Sequence, residues 1–106
     1  MHLNKIEVLL LNSLADDYEN ISSILPDISR ELKRPITENE IVSCLRQLLT
    51  KRLIDAYRFD SQRYEKVGSV DTFNNMWFMI NARGLATLVQ AKNEKSDPPD
   101  GTRNEL

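Results

Sequence analysis

One cysteine and one histidine in 106 residues close off two chemistries at once. Cys44 has no partner for an internal disulfide, and His2 alone cannot build a metal site. No apolar run reaches the roughly 20 residues that a membrane-spanning helix needs. The opening MHLNKIEVLLLNSLADD turns acidic soon after its apolar run and lacks a small-residue cleavage site, so the reading is a cytoplasmic chain without a signal peptide. Surplus positive charge is lacking too. Fourteen basic against sixteen acidic residues give a net charge of −2, which excludes a strongly basic nucleic-acid coat. No nucleophile–base pair, glycine-rich phosphate loop or metal-ligand spacing occurs, and Asp16-Asp17 reads as a loop between helices. The expectation is a protein that is not an enzyme and uses no cofactor.

What is present fits one small domain, residues 1–92, followed by a disordered tail, 93–106, whose NEKSDPPDGTRNEL has no apolar periodicity. Charge is unevenly spread. Residues 1–27 carry one base, Lys5, against five acids, whereas 28–71 carry nine bases against seven acids. A basic middle of this kind can face a polyanion while the rest of the chain keeps it soluble.

Periodicity places the elements. Leu3 to Leu14 reads as a helix capped by Asn4 with Glu7 three residues on; Leu3, Ile6, Leu9, Leu10 and Leu14 share one face, with Val8 and Leu11 on the other. Ile21, Ile24, Leu25, Ile28 and Leu32 mark a second helix. Pro26 suits a first turn, so that helix is expected to start near Ser22 or Ser23 and to end before Pro35. Thr37-Glu38-Asn39-Glu40 forms a capping box at the head of a third helix, about 37–51, with Ile41, Val42, Cys44, Leu45, Leu48 and Leu49 on its apolar side. Leu53 to Phe59 and Met76 to Ile80 then read as two strands of an antiparallel hairpin with a long polar tip. Asn81 caps a closing helix, Ala82 to Lys92, with Leu85, Leu88 and Val89 turned to the core. The fold class is mainly α with a small antiparallel β-hairpin (α+β).

Two stretches carry a resemblance. ITENEIVSCLRQLLTKRLIDAYRF resembles a recognition helix feeding directly into a first wing strand. MWFMINARGLATL is similar to a second wing strand followed by a polar-x-basic-Gly turn into a closing helix. Together with the element order they resemble the winged-helix (winged helix-turn-helix) superfamily of DNA-binding domains, with no specific branch indicated. Residues 3–92 are covered. Three departures stand out: Arg52 where many members have glycine, a long Asp60–Asn75 segment between strands, and Glu38 and Glu40 in the first turn of the recognition helix.

The resemblance implies a three-helix core, a wing and a closing helix acting as a transcriptional regulator on double-stranded DNA. The third helix would lie in the major groove, with Asn39, Ser43, Arg46, Gln47 and Thr50 facing the bases. The wing, about 54–80, would set Arg58, Arg63 and Lys66 against the phosphate backbone. A homodimer is expected, with the first helix contributing through Val8 and Leu11. The alternative is a winged helix used as a protein–protein interaction or dimerisation module without DNA binding. Cys44 reads as a small buried hydrophobe, and Trp77 as partly exposed or covered by a partner.

Overall fold

The computed structural model describes residues 3–68, 73 and 75–96. Four helices, α1 (Lys5–Ser13), α2 (Ile21–Leu32), α3 (Glu38–Thr50) and α4 (Ala82–Ser96), surround one face of a sheet made by β1 (Ile54–Asp60), β2 (Arg63–Val67) and β3 (Trp77–Ile80). Both expected capping boxes form. Asn4 and Glu7 exchange bonds of 2.8 and 3.0 Å, and Thr37 and Glu40 do the same at 3.1 and 3.0 Å.

The second helix starts earlier than its proline suggests. Asn20 caps it by accepting from the Ser23 amide at 3.0 Å, and Pro26 falls inside the helix. The donor that proline lacks would have served the Ser22 carbonyl, on a residue exposed to solvent, so little is lost. The first helix also differs from expectation. Val8 and Leu11 are buried with Leu10 and Leu14, while Ile6 and Leu9 are half-buried. α1 packs against α2, α3 and α4 together, so both of its apolar sides find cover within the chain. Val8 and Leu11 therefore give no ground for a second subunit.

The hairpin gains a strand. The order is β2-β1-β3, all antiparallel, with β2 lying inside the stretch read as a polar tip. Ser61 and Gln62 join β1 to β2 with φ of 52° and 64°. Positive φ at both positions is what a tight two-residue hairpin loop requires, and neither residue is the usual glycine or asparagine. On the other edge of the sheet, Glu19 exchanges backbone hydrogen bonds of 2.9 and 2.8 Å with Phe78, tying the α1–α2 loop to β3.

Ile24, Ile28, Ile41, Leu45, Leu48, Leu53 and Phe78 build the core between the helices and the sheet. α4 closes it with Leu88 alone of its three expected apolar contacts; Leu85 and Val89 are 49% and 50% exposed. The helix also continues to Ser96, four residues past its expected end. The expectation of a disordered tail lies, for 97–106, outside the described residues, as does His2. Among the described residues no helix is long and apolar enough to cross a membrane.

Candidate nucleic-acid interface

A helix can present side chains reproducibly only if it is itself fixed. α3 is pinned at both ends. At its start Glu40 closes the capping box and meets Arg34 at 3.6 Å. The Thr37 amide and then the Arg34 charge hold the Glu40 carboxyl below its usual range. At its end Lys51 donates to Glu7 Oε2 at 2.8 Å, while the other Glu7 oxygen caps α1. Glu7 is buried, so one carboxylate locks the start of α1 to the end of α3.

The turn out of α3 explains the missing glycine. The Leu53 amide donates to the Leu48 carbonyl and the Arg52 amide to Leu49, each at 3.0 Å. These are the two bonds of a Schellman motif, which needs a left-handed residue at the position of Arg52. Arg52 adopts it, with φ of 61°. The turn is thus the expected one, made by an arginine at some backbone cost.

Asn39, Ser43, Arg46, Gln47 and Thr50 are all exposed. At 3.6 residues per turn they fall within an arc of about 100° on α3. Among the described residues, Asn39, Ser43 and Gln47 have no side-chain hydrogen-bond partner, which leaves their donors and acceptors available. Thr50 is committed in part, its hydroxyl donating to the Arg46 carbonyl at 2.9 Å. The Arg46 guanidinium carbon lies over the Phe73 ring, 5.0 Å from the centroid, a cation–π contact. The acids of the first turn interfere less than their position in sequence suggests. Glu40 is folded back into the cap, and Glu38 lies about 130° round the helix from the middle of the polar arc.

The wing residues are not gathered in the same way. Strand alternation puts Arg58 and Arg63 on the side of the sheet shared with buried Ile54 and Ala56, and Lys66 on the opposite side. Arg63 pairs with Glu65 at 3.0 Å and Lys66 with Asp55 at 3.7 Å; Arg58 is exposed, opposite Glu65 in register. These surface pairs are weak and exchangeable. Arg52, not singled out from sequence, stands near Arg46 instead. Both line a cavity of about 420 Å³ between α3 and the sheet, together with Thr50, Asp55, Lys66 and Phe73. Lys66 and Asp55 pair with each other on the far side of the sheet, so the charge of that hollow comes from Arg46 and Arg52, which suits an anionic group such as a phosphate.

The far side of the sheet carries a different surface. Tyr18, from the α1–α2 loop, stacks on Tyr64 with centroids 3.8 Å apart and meets Tyr57 edge-on at 4.8 Å. Trp77 and Phe59 complete the cluster around Tyr64, and Phe59 is 49% exposed. Burial, then the Asp55 charge, pushes the Tyr57 phenol above its ordinary range. Trp77 is half-buried here, as its place in the strand alternation implies. Cys44 is only half-buried; burial, then the charges of Glu7 and Glu40, raises its thiol, so little thiolate forms near neutral pH. Among the described residues no cluster of His, Cys, Asp or Glu could hold a metal ion.

No family model matches the chain, and no curated protein does. Solved structures do match, among them the following two. A PadR-like transcription factor from Bacteroides fragilis superposes with a TM-score of 0.63 at 13% identity, over 85% of this chain and 79% of that one. A PadR family transcriptional regulator from Eggerthella lenta gives 0.61 at 13% identity, over 85% and 70%. Identity this low speaks to architecture alone. With its three-helix core, its β-sheet wing and its closing helix, the chain has the winged-helix fold of those two structures.

Proposed function

We propose that the protein binds duplex DNA sequence-specifically as a small transcriptional regulator, with α3 in the major groove and the wing on the backbone. One observation carries the reading: five exposed polar side chains share a narrow arc on a helix pinned at both ends. Arg46 has the fork that matches guanine, and Asn39 and Gln47 have the amides that match adenine. Arg52, at the adjacent hollow, would hold a phosphate, with Arg58, Arg63 and Lys66 on the wing. The reaction class is occupancy of a site without chemistry, in the cytoplasm. The likeness to two transcription factors raises this reading above other uses of the fold.

A dimer accompanies it. Leu85 and Val89 lie one turn apart on α4 and are half exposed, an apolar stripe that a second copy of the same helix would cover. Sedimentation at micromolar concentration is expected to show twice the 12.3 kDa protomer mass. A clean monomer would remove the dimer and leave the single helix-groove contact. The function itself is tested by selection from a random duplex library. The expected result is enrichment of two half-sites about one helical turn apart. The exposed aromatic cluster at Phe59 favours the second reading, a protein-interaction module, and a library that yields no enriched sequence would put that reading first.

A further inference from the structure

Phe73 lies in a polar stretch outside α3, yet its ring meets the one guanidinium of the polar arc. It is 7% exposed and stacks on Phe78, a fully buried residue of β3, with centroids 5.7 Å apart and planes 19° from parallel. Phe78 is held in turn by backbone bonds to Glu19 and by its register with Ala56. A continuous line of ring contacts thus runs from the sheet core to the Arg46 guanidinium on the protein surface.

We infer that Phe73 is a positioning residue for base recognition, holding the Arg46 guanidinium flat against its ring so that its edge is presented to the groove. The inference rests on the DNA-binding reading above. A guanidinium is planar, and its five N–H donors lie in that plane. Stacking uses only a face, so no donor is spent and the bidentate edge stays available. An unstacked arginine on an exposed helix samples many rotamers, and ordering it on binding costs entropy. Phe73 takes up part of that ordering before DNA arrives. The ring also fixes direction. Arg46 is drawn to the side of α3 that faces the sheet, beside Thr50 and Arg52, so the base pair it reads lies on the wing side of the helix.

The test compares Phe73→Leu with Phe73→Tyr. In the free protein the Arg46 Nε–Hε proton should be shifted upfield by the ring current, lose that shift in F73L and keep it in F73Y. With the duplex that wild type selects, F73L should lose about three- to tenfold in discrimination against a duplex altered at the base pair Arg46 reads. Affinity for random duplex should change less than about twofold, and F73Y should restore discrimination. In an Arg46→Ala background F73L should have no further effect, the signature of one shared interaction. Should F73L fail to fold, Arg46→Lys replaces it: the charge stays, the planar fork goes, and the same loss is expected. Unchanged discrimination in F73L, or an Arg46 resonance identical with and without the ring, overturns the positioning role alone. A wild-type protein that selects no sequence overturns the positioning role and the DNA reading together.

Discussion

Gly84→Ala is expected to destabilise the domain by about 2–4 kcal/mol, lowering the unfolding midpoint by roughly 10–20 °C for a chain of this size. A Cβ at Gly84 would stand 2.0 Å from the Leu53 carbonyl oxygen, 2.9 Å from its carbon and 2.8 Å from Ile80 Cγ1. Two of these three neighbours are backbone and cannot swing aside. The Leu53 carbonyl is moreover held by the Asn81 amide at 3.2 Å, and Asn81 caps the same helix by accepting from the Gly84 amide at 2.8 Å. α4 must therefore lift as a body, drawing Leu88 out of the core. Alanine's better helix propensity recovers about 1 kcal/mol at most, which does not offset the clash. Urea or thermal unfolding checks it. A G84A protein as stable as wild type would mean that α4 does not sit this close to the α3–β1 turn.

Arg46→Ala is expected to cost about 1–3 kcal/mol of affinity for the preferred duplex, roughly five- to 150-fold, with a smaller change on unrelated DNA. The asymmetry follows from role: a groove-reading fork discriminates between bases, whereas a phosphate contact weakens all sequences alike. Stability should fall by no more than about 1 kcal/mol, since the side chain is exposed and loses only its contact with Phe73. Anisotropy titrations on both duplexes, beside an unfolding curve, separate the two effects. Equal losses on both duplexes would reassign Arg46 to the backbone.

Much of the architecture was legible because it rests on local rules. Asn4 with Glu7 and Thr37 with Glu40 are short-range hydrogen-bonding signals, and both helices begin where those signals stand. The apolar spacing of α3 likewise left its five polar residues on one exposed arc. What failed depended on tertiary neighbours. Pro26 marked a first turn by propensity, but Asn20 captures the Ser23 amide and starts the helix earlier. β2 was hidden because Arg63–Val67 carries little apolar alternation; its cover is a tyrosine, Tyr18, from a loop far along the chain. Leu85 and Val89 fit the period of a core face, yet α4 buries Leu88 alone of the three and leaves them half exposed. Glu7 read as a cap only, since nothing local announces that Lys51 will meet its second oxygen. Phe73 left no signal at all, because the value of an isolated aromatic in a polar stretch lies entirely in what it meets.

A DNA-binding face on a chain of net charge −2 is tested most directly by a salt titration of binding to duplex DNA. Each phosphate neutralised releases condensed counterions, so log Kobs should fall linearly with log salt, with a slope near −0.9 per contact. If Arg52, Arg58, Arg63 and Lys66 each meet a phosphate, the slope should be roughly −3 to −4 per chain, and each Arg→Gln or Lys→Gln change should remove about one unit. Binding too weak to detect at low salt, or a slope near zero that these substitutions leave unaltered, would contradict the account.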